Sequence, residues 1–92
     1  MRFRSSTTTV RTIEEQRYIL AMMTVWRQLP IERREKIREL IGSVSETPIE
    51  GRALFDLMIQ GADPERIHER TGVSVHRLRQ MRSDFLDGFT MW

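Results

Sequence analysis

Apolar residues recur every three or four positions through most of this chain, which is the spacing of an amphipathic helix. The first such stretch begins after Thr12, which forms a capping-box pattern with the acid three residues later, and Pro30 marks its end. A second stretch runs from Ile31 to about Ile41, with Gly42 as its stop. These patterns predict two helices in the first half of the chain.

Three further helices are predicted in the second half, and each begins after a residue that caps helices well. The caps are Thr47, Asp63 and Ser74, and a proline follows the first two at the first helical position. A glycine lies at or just past the end of each periodic run: Gly61, Gly72 and Gly88. The fold is therefore predicted to be all-α, a small five-helix bundle that forms one domain over residues 12–92.

Residues 1–11, MRFRSSTTTVR, precede the first predicted helix and differ from it in composition. They are rich in Thr and Ser and contain Arg2, Arg4 and Arg11 with no acid. A polar, basic end of this kind is typical of a flexible arm. Two roles for its arginines stay open. A solubilising terminus is favoured, and an arm that reaches the phosphates or the minor groove of DNA is the alternative.

Basic residues are distributed unevenly, although the formal net charge is only +2. All but one of the 15 basic residues are Arg, whose guanidinium suits phosphates and guanine edges but also forms surface ion pairs. The fifth predicted helix carries arginines before any acid appears. The segment of about 63–87 thus combines a short helix, a tight turn at Gly72 and a basic helix. This order is typical of a helix-turn-helix, whose second helix enters the major groove.

The region Thr47–Leu86 also carries apolar, cap and glycine positions at a characteristic spacing: Leu54, Phe55, Leu57, Met58, Gly61, Ile67, Gly72, Val73, Ser74, Leu78 and Phe85. With these residues it resembles the DNA-binding domain of LuxR/GerE-type regulators, and Trp-repressor-like domains of the same tetrahelical superfamily share the spacing. Arg79 falls where that family often has a DNA-contacting Lys. The resemblance implies a small stand-alone transcriptional regulator, of the kind found in bacteria, phages and mobile elements.

If this interpretation is correct, the outward face of the fifth helix contacts double-stranded DNA. Arg reads guanine and Gln reads adenine through paired hydrogen bonds. The candidates for base reading are His76, Arg79, Gln80 and Ser83. The candidates for phosphate contact are Ser74, Arg77, Arg82 and Arg66.

A surplus of Met and aromatic residues leaves a second function open. The residues concerned are Met22, Met23, Trp26, Phe89, Met91 and Trp92. Either they form the core, or they contact a partner, because Met is adaptable and frequent at binding surfaces. The partner would be a second copy of the chain or a regulatory protein. The alternative function is therefore an antiactivator, derived from a helix-turn-helix, that binds a transcription factor and not DNA.

Other classes of function have no support in the sequence. It lacks cysteine, a phosphate-binding glycine loop and a nucleophile elbow, so we expect no enzyme, no metal site, no cofactor and no small-molecule substrate. His68 is expected to pack between helices with a partner for its ring nitrogen. The longest apolar-rich run is about half of the ~18–20 residues that a membrane span needs. We expect a cytoplasmic protein.

Overall fold

The computed structural model describes residues 7–91, which contain five α-helices and one short 3-10 turn. No residue in this range lies in a β-strand, so the predicted all-α fold class is confirmed. In chain order the elements are α1 (Ile13–Thr24), the 3-10 turn (Trp26–Gln28), α2 (Ile31–Val44), α3 (Pro48–Met58), α4 (Pro64–Thr71) and α5 (Val75–Gly88).

The predicted helix starts are confirmed, and two of the predicted ends differ. At α1, the Thr12 hydroxyl accepts a hydrogen bond from the Glu15 amide, and the Glu15 carboxylate accepts one from the Thr12 amide. The helix ends at Thr24, before the 3-10 turn. The predicted stop at Gly42 is wrong, because α2 continues to Val44. A glycine inside a helix costs only about 1 kcal/mol, and the extra turn buries Val44.

The core receives apolar side chains from every helix. Its largest fully buried side chains are Ile19, Met23, Ile37, Leu54, Ile67, Leu78, Met81, Phe85 and Leu86. At one edge, Trp26 packs edge-on against Phe55 with ring centroids 5.5 Å apart, and the Arg38 guanidinium lies 5.5 Å from the centroid of the Trp26 ring. A single contiguous core therefore connects the five helices.

Most residues proposed above for partner contact belong to this core. Met22, Met23, Trp26 and Phe89 are buried, so they are not available to a partner. The physical reason is that a small domain has little apolar area and uses flexible Met side chains to fill irregular gaps. Phe89 packs on Phe85, with ring centroids 5.9 Å apart. Met91 is exposed, and Trp92 lies outside the described residues.

The third helix is the scaffold on which the others are arranged. It packs against α2, α4 and α5, and α5 also packs against α2 and α4. The end of α2 approaches α3 closely at Gly51, where a Cβ atom would lie 3.2 Å from the Ser45 Oγ. A glycine at this point lets the two helices approach without displacing Ser45.

An ion-pair cluster joins α3 to α4. The buried carboxylate of Asp56 accepts a hydrogen bond from Arg52 Nε at 3.2 Å and one from an Arg70 terminal nitrogen at 3.1 Å. Because a buried carboxylate is costly without partners, the two guanidinium groups account for its presence at this position. The cluster fixes the C-terminal part of α4 against the scaffold helix.

Part of the flexible arm predicted at residues 1–11 is described by the structure, and these residues contact the C-terminal end of α5. The Thr9 hydroxyl and the Val10 amide both donate hydrogen bonds to Asp87 Oδ1, the latter at 2.9 Å. The ordered domain therefore begins before Thr12. The sequence does not indicate this attachment, because Asp87, the partner of Thr9 and Val10, lies near the opposite end of the chain.

Arg11 strengthens the same attachment. Its Nε donates to the Leu86 carbonyl at 2.8 Å, and a terminal nitrogen donates to the Phe89 carbonyl. The last carbonyls of a helix lack partners within the helix and favour a cation, so Arg11 satisfies the end of α5. Arg2 and Arg4, the other arginines of the predicted arm, lie outside the described residues.

Neither a membrane-spanning helix nor a metal-binding cluster is found among residues 7–91. None of the helices between residues 7 and 91 has both the length and the apolar character that a bilayer-spanning helix needs. The same residues contain no cluster of three or more His, Asp or Glu side chains placed to bind a metal ion.

Candidate nucleic-acid interface

The turn between α4 and α5 positions the start of the basic helix. Gly72 has a φ of +79°, a left-handed conformation that glycine adopts without steric cost, and its amide donates to the His68 carbonyl at 2.8 Å. The Thr71 hydroxyl donates to the Ile67 carbonyl and accepts from the Val73 amide. The backbone of the turn is therefore tied to α4 at several points.

His68 adds one more bond across this turn. Its Nδ1 lies 3.0 Å from the Val73 carbonyl oxygen, which can only accept, so the ring nitrogen carries the proton. The prediction of a partnered ring nitrogen is confirmed. The ring itself is exposed, so the expected packing of His68 between the two helices is not found.

The N-terminal half of α5, residues 75–80, presents polar side chains to solvent. Ser74 caps it by accepting from the Arg77 amide at 3.0 Å, and its hydroxyl proton stays available for another acceptor. His76 and Arg79 are exposed, and Gln80 is partly exposed. The Gln80 amide nitrogen lies 3.2 Å from His76 Nε2, one turn earlier on the same face. Three of the four predicted base-reading residues are thus accessible together.

Ser83, the fourth, is not accessible. Its side chain is 2% exposed, and its Oγ has no hydrogen-bond partner among the described residues. The reason is that the C-terminal half of α5, residues 81–88, packs in the core, where Met81 and Phe85, two residues before and after Ser83, are also buried. In this conformation the Ser83 side chain is therefore out of reach of a base edge.

Arg77 is committed to another helix and not to a phosphate. Its Nε and a terminal nitrogen donate to the two carboxylate oxygens of Glu50 at 3.0 and 3.1 Å, and both side chains are about four-fifths buried, 20% and 18% exposed. Hydrogen bonds from Arg77 hold the pKa of Glu50 below its ordinary value, and the same pair raises the pKa of Arg77. This two-point pair fixes the start of α5 against α3.

Three other arginines of the α4–α5 region form no ion pair with any described residue: Arg66, Arg79 and Arg82. Their neighbours Arg70 and Arg77 both have carboxylate partners. An unpaired guanidinium keeps all of its donors free for an anion, so these three define where a phosphate would be bound most favourably.

Arg66 differs from the other two in its surroundings. It shares a shallow surface depression with Asp63, Glu65, Glu69 and Arg70. The three carboxylates repel a phosphate at this position, because Coulomb repulsion acts over several ångströms even near water. Of the predicted phosphate contacts, Arg82 is therefore better placed than Arg66.

Arg79 and Arg82 line one groove. Its volume is about 350 Å³, and the other lining residues are Thr7, Leu57, Pro64 and Leu78. No acid is among them. Sequence reasoning found the two arginines but missed Thr7, since nothing in the pattern of residues 1–11 indicates that this segment contacts α5. The position of Thr7 depends on hydrogen bonds between Asp87 and residues near the other end of the chain, and a single sequence does not reveal such a pairing.

Comparison with protein-family models, with curated proteins and with solved structures finds no match for this chain. The resemblance of Thr47–Leu86 to LuxR/GerE-type domains therefore stays a prediction from sequence. The function has to be argued from the geometry of the surface around α5.

Proposed function

We propose that this protein is a small DNA-binding regulator of transcription, in which α4 and α5 act as a helix-turn-helix. The observation that carries the proposal is the contrast among the arginines of this region. Arg70 and Arg77 neutralise carboxylates within the fold, whereas Arg79 and Arg82 are unpaired beside the exposed start of α5. An unpaired cationic surface next to a helix N-terminal half fits a polyanion better than any other class of ligand.

In this proposal the first two turns of α5 enter the major groove of duplex DNA. His76 and Gln80 lie on one face of the helix and offer donors and acceptors to base edges. Arg79, Arg82 and Ser74 contact the backbone around them. Arg77 has a structural role, since its pair with Glu50 fixes the angle at which α5 leaves the scaffold helix.

The alternative, a protein-binding antiactivator, has lost most of its support. It depended on six apolar residues, of which Met22, Met23, Trp26 and Phe89 are buried in the core. Of the five that the structure describes, Met91 alone is exposed, and one residue does not form a surface by itself. DNA binding is the function that the accessible residues favour.

The proposal is tested by titrating a mixed-sequence duplex with the protein at several salt concentrations between about 50 and 200 mM. Each phosphate neutralised adds about 0.9 to the negative slope of log K against log salt. The double variant Arg79→Ala/Arg82→Ala is expected to lower the steepness of that slope by about 1.8 and to weaken binding at least tenfold at low salt.

A matched control removes two exposed arginines elsewhere, Arg17→Ala/Arg27→Ala, so that the net charge changes equally. This control is expected to bind within about threefold of the wild type, because neither residue lines the groove and salt at 0.1 M screens exposed charges beyond ~10 Å. Equal weakening by the two double variants would reject the proposed surface. No binding of duplex DNA at the lowest salt would reject the function.

A further inference from the structure

The groove beside α5 has two chemically different sides. Arg79 and Arg82 supply guanidinium groups, and Leu57, Pro64 and Leu78 supply apolar surface. This combination fits a chain that alternates anionic groups with uncharged rings. A sugar–phosphate backbone has that chemistry, because its phosphates bind guanidinium groups while the deoxyribose packs on apolar side chains.

The third side of the groove comes from the N-terminal segment, through Thr7. This segment is fixed by the bonds from Thr9 and Val10 to Asp87, two and three residues further along the chain. Thr7 is therefore held at the groove by a carboxylate that is itself not among the lining residues. Arg11 also ties this segment to α5, because its amide donates to the Thr9 hydroxyl at 3.1 Å and its Nε donates to the Leu86 carbonyl. Asp87 is the acceptor that Thr9 and Val10 contact directly, so its loss would loosen residues 7–10.

We propose that this groove binds the sugar–phosphate backbone of one DNA strand, and that Asp87 keeps the groove closed on its Thr7 side. The inference rests on the proposed function and sharpens it in two ways. It places the Arg79 phosphate contact of the proposed function in one groove together with Arg82, and leaves base reading to His76 and Gln80. It also makes an acid, Asp87, contribute to the binding of a polyanion, because that acid positions the segment that completes the site.

The role of Asp87 can be tested with variants for which charge alone predicts the opposite result. Asp87→Ala and Asp87→Asn both remove one negative charge, which by itself strengthens the attraction for DNA. They differ in that Asn keeps an oxygen acceptor for the Thr9 hydroxyl and the Val10 amide. Asp87→Ala is expected to bind about two- to tenfold more weakly than Asp87→Asn, the size of effect that loss of one positioned contact produces.

Stability does not explain such a difference, and circular dichroism of both variants checks this. A carboxylate at the C-terminal end of a helix is unfavourable, which offsets part of the loss of the bonds from Thr9 and Val10, so both variants should stay folded. If Asp87→Ala binds as tightly as Asp87→Asn, the role of Asp87 is overturned, while DNA binding through Arg79 and Arg82 stands.

The first point is tested with Arg79→Ala on a set of duplexes that differ in sequence. A phosphate contact predicts that all duplexes are weakened by the same factor and that the salt slope falls by about 0.9. If Arg79→Ala instead changes the ranking of the duplexes at an unchanged slope, Arg79 reads a base and the groove assignment is overturned. The proposed function would survive that result, since the protein would still bind DNA through α5.

Discussion

The two halves of α5 have the same kind of backbone but opposite surroundings. In residues 75–80, His76 and Arg79 are exposed, and only Leu78 is fully buried. In residues 81–88, Met81, Ser83, Asp84, Phe85 and Leu86 are all buried. One helix therefore belongs to the surface at its start and to the core at its end. Because an α-helix is stiff over this length, packing of the second half orients the first half.

This difference explains how a small protein can present a rigid polar surface. A loop that carried His76, Arg79 and Gln80 would lose conformational entropy on binding, at a cost of roughly 1–2 kcal/mol for each backbone residue ordered. Here the same residues are ordered in advance by contacts that lie one to three turns away. Arg77 also fixes the exposed half itself against α3, through its pair with Glu50.

Whether the buried half anchors α5 is tested most directly by removing its largest side chain. Phe85→Ala should lower the free energy of unfolding by about 3–5 kcal/mol, because it deletes a fully buried ring and leaves a cavity. Arg79→Ala, six residues earlier, should change it by no more than about 0.5 kcal/mol. Urea unfolding followed by circular dichroism measures both. A loss below about 1 kcal/mol for Phe85→Ala would mean that the second half does not anchor the helix.

The Arg77–Glu50 pair tests whether the exposed half of α5 is also held in place by its own contacts. Arg77→Ala should cost about 1.5–3 kcal/mol, as for other hydrogen bonds that involve charged groups. Glu50→Gln should cost less, because the amide still offers one acceptor. Both variants keep the exposed residues of α5, so any loss of DNA binding in the folded protein would report a change in helix orientation.

The same pair gives a pH dependence whose sign is fixed. The pKa of Glu50 in the folded protein lies below its ordinary value of 4.5, so the folded state favours the carboxylate. Its contribution is therefore complete above pH 4.5 and is lost as the pH falls through the folded-state pKa. Unfolding measured between neutral and acid pH should show a smaller acid loss for Glu50→Gln than for the wild type. Identical pH profiles would contradict the role assigned to the pair.

The smallest effect is expected at Ser83. Its buried hydroxyl lacks a partner among residues 7–91, and removing such a group does not break a bond. Ser83→Ala should therefore leave stability unchanged or raise it by up to about 1 kcal/mol, and DNA affinity should stay the same. A variant that folds normally but has lost sequence discrimination would restore Ser83 as a base-reading residue and would remove the boundary drawn between the two halves.

Local features of the fold were predictable from sequence, because the chemistry that determines them lies within one turn. Thr47, Asp63 and Ser74 each accept a hydrogen bond from an amide two or three residues later, as their patterns indicate. The turn at Gly72 is of the same kind. Each of these signals needs only a short window of sequence.

The burial of individual side chains on α5 was not predictable in the same way. Periodicity placed Leu78, Met81 and Phe85 on the inner face, but the outer face at Ser83 is closed by packing that involves other elements. Arg77 looks like its neighbour Arg79 in the sequence, and only the position of Glu50, 27 residues earlier, separates their roles. Such distinctions depend on tertiary contacts and not on residue type.

The bonds from Thr9 and Arg11 to the end of α5 also have a consequence for the order of folding. They join residues 75 or 78 positions apart, so forming them closes a loop of almost the whole described chain. Loop closure on this scale costs roughly 4 kcal/mol of chain entropy, which a few surface hydrogen bonds cannot offset before the helices have packed. The N-terminal segment is therefore the last part to join and the first to leave. Amide exchange at Val10 should be faster than global unfolding, and the groove beside α5 can open while the core stays intact.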